Sequence, residues 1–442
     1  MHSNYPLEIV LTPLKAALVH DADARLQVLV RLRAQDDPGL TRTPLSLAIV
    51  IDRSGSMQGE KLVAAKQCTR ELINRMHDED EVSIVIYDTQ VQVALALMPV
   101  AQARPLLAAS LRSFDSGAQT ALHAGWLKGA ELLAPRSASS RMCRVILLSD
   151  GQANYGETDV DKICAQVGEL ARSGVTTTTV GIGLGFNEIL MTAMAIAGQG
   201  AALYGDRAQD LAEPFDAEIG LLAGVAWRDL SLTLSGGTHQ WTMHNDYAQN
   251  ADGSWRLPSI AAKSEAWMAL SIPMAHAIRA QELSADNSAL KVLVRAKDAN
   301  GVAHTFDGAL RELPVVSSTS YQDFSAEQLV ALRFSEIESA DLQRLARDAV
   351  ARRDWDAVES MLADLNRRAA DNPWLLDTLK LMGSLLEQRD HVRMEKELQY
   401  TAHAMKTRLV DLNETSWVGS RQESEKVAFL RRKVQQGRRS DS

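Results

Sequence analysis

Ile49-Val50-Ile51-Asp52-Arg53-Ser54-Gly55-Ser56-Met57 decides the reading of this chain. An uncharged apolar run with the texture of a buried strand delivers one carboxylate and two hydroxyls into a short loop, and a helical pattern follows. In that pattern Leu62, Ala65, Leu72, Ile73 and Met76 keep near one face, while Glu60, Lys61, Lys66 and Arg70 can face water. Gly55, between the serines, removes a Cβ where the chain must turn tightly. The side chains that the loop presents are hard oxygen donors. Mg²⁺ takes an octahedron of such oxygens at about 2.0–2.1 Å and keeps several waters, so the loop suits it.

Further strands stand outward from this stretch. Leu45 to Ile51, Val82 to Tyr87, Val145 to Leu148 and Val175 to Ile182 are buried-strand runs separated by helical patterns. This alternation predicts a doubly wound α/β unit with a mostly parallel sheet and helices on both faces. Ligand sites in such sheets lie at the carboxyl ends of the strands. The strand before Ser149-Asp150-Gly151 ends at that edge and presents Asp150, and the intervening Ser116-Gly117-Ala118-Gln119-Thr120 loop offers the Thr120 hydroxyl. Two carboxylates and three hydroxyls from three loops are expected to converge.

Asp52, Ser54 and Ser56 fit the D-x-S-x-S signature of the metal-ion-dependent adhesion site, and Thr120 and Asp150 fit its two downstream members. On these residues the chain resembles von Willebrand factor A (VWA) domains across roughly residues 44 to 222, where Val180-Gly181-Ile182-Gly183 and Phe186-Asn187-Glu188 look like the family's late strand and loop. The resemblance implies that Ser54 and Ser56 bind Mg²⁺ directly, Thr120 directly or through water, and Asp52 and Asp150 mainly through water. Mn²⁺ or Ca²⁺ are alternative ions. It also implies an open coordination position for an Asp or Glu of a partner protein, as in metal-bridged adhesion. The wider arrangement is similar to bacterial relatives of the inter-alpha-trypsin inhibitor heavy chain, and other bacterial proteins of this kind suggest an AAA+ ATPase as partner.

Flanking the α/β unit, Leu26, Val28, Val30 and Leu32 alternate with polar residues, and the period of two returns at Leu230, Leu232 and Leu234, with Gly236-Gly237 as a turn. Strands are expected again at Trp267 to Ile272 and Ala289 to Ala296, the latter closed by Asp298-Ala299-Asn300-Gly301. Two early strands cannot form a stable sheet alone, so the α/β unit is read as inserted in a β-sandwich. Ser325 and Gln328 have capping-box spacing before an apolar helical run. The divisions expected are strands over 1–43, the α/β domain over 44–222, the rest of the sandwich over 223–318, helical hairpins over 319–414 and a tail over 415–442. Arg353-Asp354-Trp355 and Asn372-Pro373-Trp374 look like pieces of tetratricopeptide-type hairpins without a clean repeat.

The 56 acidic against 47 basic residues give a net charge of −9, which argues against nucleic acid or anionic membrane as partner. No apolar run approaches the ~20 residues of a membrane span, and a cytoplasmic protein is expected. The three cysteines, Cys68, Cys143 and Cys164, form no C-x-x-C pair and read as small apolar residues. The glycines Gly181, Gly183 and Gly185 fall too close for a dinucleotide loop. His123 reads as a packing or surface residue, and Asp78-Glu79-Asp80-Glu81 as a solvated turn. A binding protein rather than an enzyme is expected. The alternative is a Mg²⁺-assisted hydrolase, for which the sequence offers no second metal site and no obvious base; neither Ser54 nor Ser56 has the surroundings of a hydrolase nucleophile.

Overall fold

A computed structural model describes residues 7–21, 23–35, 42–112, 115, 117, 119–137, 141–150, 153–183, 185–205, 208–235, 241–368, 373–407 and 410–411. The Asp36 to Gly39 break, the Gly236-Gly237 turn and the 415–442 tail therefore lie outside the described residues. The chain opens with β1 (Leu7–Pro13), β2 (Leu18–Val19) and β3 (Arg25–Ala34).

The α/β unit follows: β4 (Leu45–Asp52), α1 (Glu60–Arg75), β5 (Glu81–Tyr87), β6 (Val91–Pro99), α2 (Val100–Arg112), α3 (Leu122–Leu133), β7 (Met142–Ser149), α4 (Val160–Arg172), β8 (Val175–Ile182), α5 (Glu188–Ala197), β9 (Gln199–Gly205) and α6 (Ala208–Ala223). The sheet order is β6-β5-β4-β7-β8-β9, parallel except for the edge strand β6. Every residue of β4, β7 and β8 is buried, because helices cover both faces. The buried run Thr176 to Thr179 in β8 is tolerated because each hydroxyl is bonded: Thr176 to Cys143 O, Thr177 to Trp126 Nε1–H, Thr178 to Glu218 and Thr179 to Met191 O. At Gly125, α3 approaches so closely that a Cβ would stand 2.4 Å from the Tyr87 ring.

After the unit come β10 (Val225–Ser235), β11 (Thr242–Met243), β12 (Trp255–Arg256), β13 (Ile260–Ala261), β14 (Ser264–Pro273), α7 (Met274–Leu283), β15 (Leu290–Asp298), β16 (Ala303–Leu310) and β17 (Val315–Val316). One sheet runs β1-β3-β14-β11 and another β12-β10-β15-β16. β3 pairs with β14 from Arg33↔Glu265 to Arg25↔Pro273, so strands from either side of the α/β unit share a sheet. Val28, Val30, Leu32, Met268 and Leu270 of that sheet meet Leu232, Leu234, Val292 and Val294 of the other in one core.

Helices α8 (Ser318–Asp323), α9 (Gln328–Ala351), α10 (Trp355–Arg368), α11 (Pro373–Gln388) and α12 (His391–Thr407) close the chain, with β18 (Val410–Asp411). Two details differ from the sequence reading. The cap of α9 is Glu327, whose carboxylate accepts from Val330 N, rather than Ser325, because Glu327 N is fixed on Leu14 O at 2.7 Å. The helical run also ends at Thr407, and Val410–Asp411 pairs with β14. Among the described residues, no helix is long and apolar enough to cross a membrane.

Candidate metal centre

The carboxyl ends of β4 and β7 are neighbours in the parallel sheet, and this adjacency brings Asp52 and Asp150 together. Asp52 is fully buried, and both its oxygens are engaged: Oδ1 accepts from Ser54 N at 2.8 Å and Oδ2 from Ser149 Oγ at 2.6 Å. Burial pushes the Asp52 carboxyl above the ordinary range; hydrogen bonds from Ser149 and Ser54 oppose the rise, and the charge of Asp150 adds to it. The two serine hydroxyls lie 3.1 Å apart, and Ser56 Oγ donates to Asp150 Oδ1 at 2.8 Å. Ser54 and Asp150 are buried while Ser56 is exposed, so the cluster has a buried base and an open rim.

Thr120 arrives differently. It is buried, its N–H donates to Asn154 Oδ1 at 2.8 Å, and its carbonyl accepts from the N–H groups of Asn154 and Tyr155 at 3.3 Å. These bonds lash the 119–121 segment to the chain that follows Asp150. Among the described residues, no hydrogen bond joins the Thr120 side chain to the other four.

Further residues shape the site. Lys61, in the first turn of α1, places Nζ 2.8 Å from Asp150 Oδ2. Ser149 orients Asp52, and Asn154 holds Thr120. Asp88, beyond the end of β5, accepts from Gln90 N at 2.7 Å and pairs with Arg53 at 3.2 Å. Gly117 lies against that carboxylate, with its N–H on Arg53 O at 2.6 Å; a Cβ there would stand 1.8 Å from Asp88 Oδ2. The strand-end rule that places Asp150 at this edge applies equally to Asp88 and Ser149. For Asn154 no pattern in the sequence gives a signal.

The remaining motifs take structural places. His123 Nε2 meets Gln166 Oε1 at 2.5 Å. Asp80 is buried rather than solvated. Burial alone would push its carboxyl up, but bonds from Arg42, Leu45 N and His77 N outweigh that and hold it below the ordinary range. Cys68 and Cys143 are buried and Cys164 half-buried; burial pushes their thiols up to about 12, about 11 and about 11. None of the three is a thiolate at neutral pH.

The donor set fits a hard divalent cation. Oxygens about 2.1 Å from one ion on neighbouring corners of an octahedron stand about 3.0 Å apart. The Ser54–Ser56 separation of 3.1 Å lies close to that spacing, and Asp150 accepts from the second serine at 2.8 Å. Among the described residues, no group of three or more His, Cys, Asp or Glu side chains could hold a metal. A site here therefore has to rest on hydroxyls.

The von Willebrand factor type A domain model matches residues 46–215. An uncharacterized protein of Synechocystis sp. is 28% identical over 179 residues, 40% of this chain and 41% of that protein. Inter-alpha-trypsin inhibitor heavy chain H1 of Mesocricetus auratus is 30% identical over 176 residues, 38% of this chain and 19% of its own length. The matches thus span about two fifths and one fifth of these relatives. A solved von Willebrand factor type A protein from Catenulispora acidiphila superposes with a TM-score of 0.69 at 19% identity, covering 92% of this chain and 98% of that one. The ArnB paralog VWA2 from Sulfolobus acidocaldarius gives 0.62 at 16%, with 90% and 99% covered. These likenesses reach past the α/β unit into its flanks, and they show the fold.

Proposed function

Because residues 46–215 form a von Willebrand factor type A domain, a type that typically mediates protein–protein interactions, we propose that this chain captures a carboxylate of a protein partner through Mg²⁺ held at Ser54, Ser56, Thr120, Asp52 and Asp150. The observation that carries the reading is the pair of serine hydroxyls 3.1 Å apart, with Asp150 2.8 Å from the second. Ser54, Ser56 and Thr120 would hold the ion through hydroxyls. Asp52, both of whose oxygens already accept protein hydrogen bonds, suits contact through water. Mg²⁺ bound here would supply an electrophilic position for one acidic ligand. Neutral hydroxyls leave that charge largely uncancelled, and this favours an incoming Asp or Glu.

Mn²⁺ and Ca²⁺ are the alternative ions, and an AAA+ ATPase is the partner class within this proposal. Tyr155, whose N–H also holds the Thr120 carbonyl, is 48% exposed, which supplies an aromatic contact beside the site. Affinity capture on the full chain in Mg²⁺ and in chelator tests the function. Partners should be retained only with the ion, and be lost when their contacting Asp or Glu is changed to Asn or Gln. Equal retention in chelator contradicts the proposal.

Lys61 gives a second expectation. Its ammonium neutralises part of Asp150, so Lys61→Met should tighten Mg²⁺ binding about tenfold by removing a like charge. Calorimetric titration of both proteins measures this; unchanged or weaker binding refutes it.

A third concerns pH. The raised Asp52 pKa means that protons compete with the ion above the ordinary Asp range. Mg²⁺ affinity should fall on acidification with a midpoint above about 3.9. In the metal-free chain the cost of burying the anion is present above the raised pKa and is relieved as pH falls through it. A titration series across pH locates the midpoint, and a value at or below that of free aspartate counts against the burial argument.

A further inference from the structure

A cavity of about 180 Å³ lies where β9 and α6 of the α/β unit meet the 246–259 stretch and the last turns of α12. It shares no residue with the metal centre. Ile196, Leu203, Leu221, Val225 and Pro258 give it apolar walls. Pockets of this kind, at a junction of structural units and with few polar groups, are where small ligands bind.

Its charges are unevenly matched. Glu218 is bonded to Arg144, and Asp246 is engaged by Arg344 and Lys406. Arg256 is the exception. Its Nη1 donates to Gly168 O at 2.9 Å, its buried Nε makes no hydrogen bond, and no carboxylate of the described residues pairs with it. Burial first, and the nearby Arg172 second, disfavour its charge. His403, which also lines the cavity, has a buried Nδ1 without a partner, and burial lowers its pKa to about 4, so the ring is neutral at neutral pH. A half-buried guanidinium that pairs with no carboxylate among the described residues is open to a ligand anion. Arg is also the side chain best shaped to grip a carboxylate.

We propose that this cavity binds a small apolar carboxylate, with Arg256 pairing the acid and the apolar walls holding the body. A cavity of about 150 Å³ holds benzene, so a ring of that size bearing one carboxylate matches the space. The ligand would contact all three structural units and stabilise their junction by mass action.

Benzoate, with neutral benzamide as its isostere, tests this on the full chain with divalent cations removed, so that no metal-bound carboxylate contributes. Calorimetry should show benzoate binding at one site, about tenfold or more tighter than benzamide. Arg256→Gln should lose that margin while its Mg²⁺ titration stays as in the parent chain. Ala201→Met, which fills the cavity and keeps Arg256, should also lose benzoate. The proposal is overturned by absence of benzoate binding, by equal binding of the two probes, or by undiminished affinity in either variant.

Discussion

Asp150→Ala is expected to lower Mg²⁺ affinity about 100-fold or more and to abolish metal-dependent capture, with the fold retained. Asp150 accepts from Ser56 Oγ and from Lys61 Nζ, so its removal releases a hydroxyl that the ion needs and leaves the ammonium facing the site. Both effects act against a cation. The strand beneath is held by β4 and β8 on its two sides, so the fold should survive. Calorimetry for the ion and circular dichroism for the fold separate the two effects. Undiminished Mg²⁺ binding in a folded Asp150→Ala protein would remove this residue from the site.

The second large effect concerns stability. Trp267→Ala should cost about 3–5 kcal/mol, the usual range for truncating a large buried aromatic. Trp267 is fully buried in β14, whose alternate residues Ala266, Met268 and Leu270 face the sandwich core. On the opposite face Trp267 packs with Leu29, Val330, Phe334 and Ile337, and the Arg333 guanidinium lies 5.2 Å from its ring centroid. The loss therefore falls on the contact between the sandwich and α9. Hydrogen exchange should show α9 losing protection while β4 and β7 keep theirs. A cost below about 1 kcal/mol would mean that α9 is held elsewhere.

Trp267 also marks where the sequence stops being legible. Its strand was readable, but strict alternation predicts one buried face, and nothing local says that a helix some 60 residues later covers the other. The α/β unit was easier. Its β4 and β7 are nearly continuous apolar runs, and parallel pairing at one edge follows from the alternation with helices, so Asp52 and Asp150 could be placed side by side. Lys61 and Asn154 could not, since their roles depend on where a side chain reaches across loops distant in sequence. Asp80 misled for the same reason: in an acidic run it looks solvated, yet Arg42 and two backbone N–H groups make it a buried anchor.

Helix α12 adds a contact that no motif announces. Lys396 Nζ donates to Phe186 O and Glu188 Oε2, both at 2.9 Å, just after the loop that runs beside Lys61. Tyr400 packs against Phe186 and Tyr204. The helical region is thereby tied to the α/β unit near the candidate metal edge as well as to the sandwich.

Crystals of the full chain grown in Mn²⁺, with anomalous scattering recorded at the manganese edge, would locate the ion against Ser54 and Ser56. One peak is expected about 2.1–2.3 Å from both Ser54 Oγ and Ser56 Oγ, with Asp150 beside it. Manganese bound only elsewhere, with the two serines still hydrogen-bonded to each other and Lys61 still on Asp150, would contradict it.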